Sequence, residues 1–208
     1  MIIIFQNINE MERKKTEEFY KSVFIEFVEV LIHQIIYLRK IYPESIYESR
    51  RKFNIPVKMS KHPWVNNYIE ETLETLHKHL LSEVTDFDSV DVIVTNHGLV
   101  TERFKLEFAK ITFNNVNLAP DTYSSEFELG LASILLRLNS AILDLREEND
   151  ADREWWVEFG STIRGAKKLI QDQKWCLAEK HEDEDKSIIP VMMINIPIKL
   201  QLYIETIR

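Results

Sequence analysis

Glycine and proline are scarce, four and six among 208 residues, under half the average usage of about 12%. A loop that cradles phosphate with backbone N–H groups needs several glycines close together, so no such site is expected. Cysteine is scarcer still. Cys176 stands alone and has no internal disulfide partner, which suits a reducing compartment such as the cytosol or nucleus. Positive charge is also short, with 26 Lys and Arg against 34 Asp and Glu, a net −8. Proteins with their own duplex affinity usually carry a basic surplus, so direct strong DNA binding is not expected. No long hydrophobic run occurs either. The stretch from Phe24 to Leu38 is broken by Glu26, Glu29, His33 and Gln34 and is too short to span a bilayer. The amino terminus is apolar only over Met1–Phe5, with no basic region or small-residue cleavage site, so no secretory signal and no membrane partner are expected.

What is present is ordinary for a globular chain: 45% hydrophobic and 29% charged residues, with no internal repeat and no Ser/Gly/Pro-rich linker. One domain over 1–208 is expected, with about 1–17 flexible because 7–17 are polar. A helical stripe begins at Phe19 and continues through Val23, Phe27, Val30, Leu31, Gln34, Ile35 and Leu38. It must end before Pro43. A second helix opens at His62-Pro63, with the proline in the first turn, and its stripe is Val65, Tyr68, Ile69, Thr72, Leu73, Leu76 and Leu80. Strands at Val90–Thr95 and Arg103–Ala109 bracket the turn Asn96-His97-Gly98. Ser125 with Glu128 reads as a capping box for a third helix ending near Leu145. Two apolar stripes on it, one with Leu131, Leu135 and Leu138 and one with Leu129, Ala132, Leu136 and Leu143, predict a central, largely buried helix. Strands return at Trp155–Ile163, Lys174–Ala178 and from Ile188 onward. In the last, Ile198, Leu200, Leu202 and Ile204 alternate with Lys199, Gln201, Tyr203 and Glu205. The order helices, hairpin, helix, strands reads as α+β.

Catalytic constellations do not emerge. Gly160-Ser-Thr-Ile-Arg-Gly165-Ala-Lys167 approaches a phosphate loop, but Ala166 separates the second glycine from its lysine and Lys168 stands where a hydroxyl is needed. His77 and His79 diverge on a helix, and no zinc-type spacing is present, so no metal site is expected. His33 reads as a satisfied core histidine and Cys176 as a buried inert thiol. Glu70-Glu71 and Glu147-Glu148 are adjacent helical pairs that point apart. The segment His181–Lys186 is a solvated acidic loop. Arg50, Arg51, Lys52, Lys58 and Lys61 read as a solvated basic loop or a contact for an acidic partner. No catalytic residue and no cofactor is assigned.

Several strings do carry a resemblance: Phe27-Val-Glu-Val-Leu-Ile-His33, Tyr37-Leu-Arg-Lys-Ile-Tyr-Pro43, Phe53-Asn-Ile-Pro-Val57, His62-Pro63, Asn67-Tyr-Ile-Glu-Glu-Thr-Leu73, Trp175-Cys-Leu-Ala178, Ile188-Ile-Pro190 and Gln201-Leu-Tyr-Ile-Glu205. With them the chain resembles the HORMA-domain family, in the branch of non-catalytic accessory subunits of the translesion DNA polymerase zeta; residues 110–165 match by pattern only. The resemblance implies three main helices on a mainly antiparallel sheet and a C-terminal safety belt at about 165–208. It implies an adaptor that holds a proline-containing peptide of the polymerase's catalytic subunit under that belt. Tyr68 and Trp175 match the family's peptide-binding positions. Ile188, Gln201 and Tyr203 match its surface for the C-terminal domain of the scaffold translesion polymerase. An ATP-driven HORMA remodeller is a further implied partner. The alternative within the family is an adaptor of checkpoint, meiotic-axis or double-strand-break end-protection complexes. Leu131 stands where the family often has an arginine used for pairing two HORMA domains, so pairing through that contact is not expected.

Overall fold

The computed structural model describes residues 2–80, 87–109, 120–145, 152–171, 175–178, 186–195 and 198–207. Helix α1 (Ile2–Leu38) is followed by a short 3₁₀ turn, a hairpin of β1 (Tyr47–Lys52) and β2 (Ile55–Ser60), and helix α2 (Pro63–Leu80). The hairpin of β3 (Phe87–Asn96) and β4 (Leu99–Phe108) leads to α3 (Pro120–Leu143), β5 (Arg153–Ser161), α4 (Ile163–Gln171), β6 (Lys186–Ile194) and β7 (Leu200–Ile207). Strands β5-β3-β4-β7-β6 form one sheet with every described pairing antiparallel. The α+β expectation is met.

Helix α1, rather than α3, is the central element. Phe24, Phe27, Val28, Leu31, Ile32, Ile35 and Ile36 lie all around it and are essentially inaccessible. The sheet covers one side, through contacts such as Phe24 on Phe108, while α2, α3 and β2 cover the rest. Two of its buried polar residues serve the β1–β2 hairpin. Gln34 Oε1 accepts the Lys58 N–H at 2.8 Å and His33 Nδ1 accepts the Ser60 N–H at 3.3 Å. Without those acceptors the edge amides of β2 would be buried unpaired. At the end of α1, Arg39 Nε donates to Glu102 Oε2 of β4 at 2.7 Å in a buried pair.

Several expectations need correction. Helix α1 begins at Ile2 rather than Phe19, so the polar stretch 7–17 is helical. Helix α3 begins at Pro120, with its proline in the first turn, so Ser125 lies inside the helix and is no cap. Leu129, Leu136 and Leu143 of α3 face solvent, at 69%, 51% and 85% exposure, because the covered face carries Leu131, Leu135 and Leu138, with Ala132 alone of the second stripe buried beside them. The basic segment is the β1–β2 hairpin, turned at Phe53 and Asn54, both in the left-handed region. Strand β5 ends at Ser161, and the P-loop-like string runs from it into α4. A Cβ on Gly160 would collide with Ser89 Oγ and Asp88 Oδ1, so packing accounts for this glycine. Residues 175–178 form no strand, and Cys176 is exposed. The 181–185 part of the acidic loop, Glu147-Glu148 and Lys174 lie outside the described residues.

Candidate functional site

The hairpin β6–β7 docks on β4, which leaves β5 at the opposite edge of the sheet. No strand among the described residues pairs with the outer edge of β5. Its Val157 N–H is directed outward and is taken by a side chain instead, donating to Tyr68 Oη of α2 at 3.0 Å. Because backbone groups alternate along an antiparallel strand, the N–H groups of Trp155 and Phe159 point to the same free side. Such an edge is a template for an added strand.

A cavity of about 600 Å³ runs beside this edge, with Tyr68 and Thr72 on one wall, Val157 and Phe159 on another, and Leu169 and Trp175 closing it. Trp175 is half-buried and packs on Phe159 with ring centroids 4.7 Å apart and planes tilted by 51°. The segment 175–178 therefore lines the groove, and among the described residues no strand pairs with it. Tyr68 meets Trp155 edge-on at 5.2 Å and stays 39% exposed. Its hydroxyl pKa is raised by burial, a shift partly offset by the Val157 N–H. The structure thus brings Tyr68 and Trp175 to one groove. The signal that sequence reading lacked was α4, whose Leu169 floors the groove; its four-residue apolar spacing, Ala166 to Ile170, is short.

The other singled-out residues meet on the opposite face and edge. Ile198, just before β7, and Leu200, Leu202 and Ile204 within it are inward and at most 1% exposed, so Gln201 and Tyr203 face outward. Tyr203 lies opposite Lys105 and donates its hydroxyl to Glu107 Oε1 at 2.8 Å. Burial and then that carboxylate raise its pKa. Gln201 lies between Glu107 and Met193, and Ile188 of β6 is 57% exposed. Behind them Arg103 joins Glu158 at 2.7 Å, Asp91 at 3.1 Å and Glu205 at 3.7 Å. Burial raises the Asp91 pKa against the opposing pull of the Ser89 hydrogen bond and of Lys105 and Arg103. His33 is buried and its pKa is lowered to about 4, by desolvation first and Arg50 second. Among the described residues, no group of three or more His, Cys, Asp or Glu is placed to hold a metal ion, and no helix is long and apolar enough to cross a membrane.

No protein-family model matches the chain. Among curated proteins it is 33% identical over 193 residues to the mitotic spindle assembly checkpoint protein MAD2B of Rattus norvegicus, covering 88% of this chain and 89% of that one. The chain belongs to the MAD2B branch of the HORMA-domain family. The human MAD2B is 32% identical over the same span. A DNA polymerase zeta processivity subunit of Arabidopsis thaliana is 26% identical over 186 residues, covering 87% of this chain and 83% of that one. Among solved structures, a chain of the mitotic checkpoint complex superposes with a TM-score of 0.75 at 14% identity, covering 91% of this chain and 99% of that one. Caenorhabditis elegans HTP-2 bound to a HIM-3 closure motif gives 0.66 at 11%, covering 91% of each. In this HORMA domain the helices, the five-stranded sheet and the C-terminal hairpin are thus the family fold, and the relatives carry names of accessory or checkpoint subunits.

Proposed function

We propose that this HORMA domain is a non-catalytic adaptor of DNA polymerase zeta that captures a short, proline-containing peptide of the catalytic subunit. The observation that carries this reading is the outer edge of β5, lined by Tyr68 and by the Trp175 segment. A peptide strand added there gains main-chain hydrogen bonds, and pockets for alternate side chains select its sequence. With 175–178 over the bound peptide, release requires that segment to open, which slows dissociation. The outer face of β7, with Gln201, Tyr203 and the neighbouring Ile188, supplies a second surface for the C-terminal domain of the scaffold translesion polymerase. One chain then bridges two polymerases during synthesis past damaged template. Binding by shape and strand pairing needs no catalytic residue and no cofactor. The proposed location is the nucleus, with the cytoplasm in addition, and an ATP-driven remodeller is the proposed means of reopening the belt.

The test uses synthetic peptides tiled along the catalytic subunit, with dissociation of a labelled, retained peptide followed in real time. Trp175→Ala and Tyr68→Ala should each speed release, because each removes one aromatic wall while β6 and β7 stay in the sheet. Tyr68→Phe should keep the wall and remove only the hydroxyl that competes for the Val157 N–H, so its peptide leaves more slowly than from Tyr68→Ala. Unchanged dissociation in both alanine variants, with circular dichroism unaltered, would overturn the assignment of this groove.

A further inference from the structure

On the side of α2 turned away from the β5 groove lies a cavity of about 480 Å³, enclosed by three elements. Glu70, Leu73, Glu74 and His77 line it from α2, at the spacing of a single helix face. Tyr68, Thr72 and Thr75 line the groove from the opposite face, and the two cavities share no residue. Helix α1 contributes Ile25, Glu29 and His33, and the β1–β2 hairpin contributes Arg50 and Met59. Met59 and Ile69 form the buried part of the lining, and Ile25 and Leu73 are half-buried.

Two features decide what such a cavity takes. The first is charge: three carboxylates line it, Glu29, Glu70 and Glu74, against one guanidinium, and that of Arg50 is already joined to Glu48 at 2.6 Å. Among the described residues none of the three glutamates has an ion pair or a side-chain hydrogen bond. Burial raises the Glu29 pKa, against the pull of Lys52 and Arg50 and with the push of Glu26 and Glu70. The second feature is His33, which is 2% exposed. Its Nδ1 accepts the Ser60 N–H, and that bond assigns the proton of the neutral ring to Nε2. Among the described residues nothing accepts that proton, and Nε2 is not sealed from solvent, so it opens on the cavity.

The occupant must bring a positive charge for the glutamates and a hydrogen-bond acceptor for His33. A metal ion brings no acceptor, and among the described residues no group of three or more His, Cys, Asp or Glu is placed to hold one. A polyamine brings charge but only donors. An arginine within a peptide brings both. Its guanidinium fork can meet carboxylates of two helices, its methylene stem suits the apolar lining, and the main chain beside it carries a carbonyl.

We propose that the cleft between α1, α2 and the β1–β2 hairpin docks an arginine-bearing segment of a partner protein, its guanidinium held by Glu29, Glu70 and Glu74 and a main-chain carbonyl taken by His33 Nε2–H. The site stands apart from the β5 groove, so a basic partner and a peptide at that edge are held at the same time.

The experiment is an NMR titration of the full chain at about pH 7 and low salt, where exposed charges are least screened. Three probes are compared: an acetylated and amidated glycine–arginine–glycine tripeptide, its counterpart with uncharged citrulline in place of arginine, and spermidine. The arginine tripeptide should bind about tenfold tighter than either of the others. It should shift the imidazole resonances of His33 and leave those of His97, at the β3–β4 turn, unmoved. Glu70→Gln combined with Glu74→Gln, both exposed, should weaken the tripeptide about tenfold without altering the fold. Glu126→Gln combined with Glu128→Gln removes the same charge from α3 and should change nothing, and Tyr68→Ala should also leave the affinity as it was. Citrulline or spermidine binding as tightly as arginine would overturn the site, as would no saturable shift up to about 10 mM tripeptide. Equal weakening by the two double variants would reduce the effect to overall charge and overturn it too. Weakening by Tyr68→Ala would put the tripeptide in the β5 groove and likewise overturn the cleft.

Discussion

Single side chains here do work that their types alone do not announce. His33 and Gln34 interrupt an apolar helix, and each accepts an amide of β2. Burial keeps His33 neutral, with a pKa lowered from the ordinary 6.5 to about 4. Between those two values the unfolded chain binds a proton that the folded chain refuses. Stability is therefore retained above about pH 6.5 and lost as the pH falls toward about 4, by about 3 kcal/mol in all. His33→Asn keeps an acceptor for the Ser60 N–H and does not titrate. Urea midpoints at about pH 7 and about pH 5 should fall less between the two conditions in this variant than in the parent. An identical fall in both proteins would mean that other groups govern the acid limb. Tyr68 shows the same economy, with its ring walling the groove and its hydroxyl holding the Val157 N–H.

At the scale of elements, alternation and helical spacing were the most legible signals. The inward set of β7 and the buried stripe of α2 lie where their periodicity placed them, because burying one face is the main stabilisation of either element. The β1–β2 hairpin escaped notice. Its strands are charged on the solvent side, and its turn begins with Phe53, which hides the usual Asn-Gly signature. The exposed leucines of α3 misled in the opposite direction, since apolar residues do not reveal whether anything covers them. Strand β7 also carries a prediction for the second surface. Tyr203 is pinned by Glu107 and presents a fixed ring, so Tyr203→Ala should weaken binding of the scaffold polymerase's C-terminal domain by roughly 2 kcal/mol. Gln201→Ala should act in the same direction, and capture of the peptide at β5 should persist in both. Calorimetric titration with each partner separately checks this; parallel loss of both partners with a lowered melting temperature would make the two residues structural.

For the whole molecule, charge and sheet edges matter most. The cations of the β1–β2 hairpin are largely committed, Arg50 to Glu48 and Lys52 to Glu26 at 2.6 Å each. With a net −8, the isolated protein should bind duplex DNA no tighter than about 10 μM at physiological salt. Submicromolar binding in an electrophoretic assay, unaffected by changing Arg50, Arg51 and Lys52 to alanine, would contradict this. The amino-acid sequence by itself determined the α+β class, the buried faces of α2 and β7 and, through its local strings, the family. These follow from hydrophobic periodicity and turn chemistry, which act over a few residues. Only the tertiary structure decided that α1 is the centre, that β6–β7 sits on β4, and that Tyr68, Val157 and Trp175 share one groove with β5 left open. Those are pairings across long stretches of chain, and an edge is free or filled according to which distant strand arrives there, something no local pattern records.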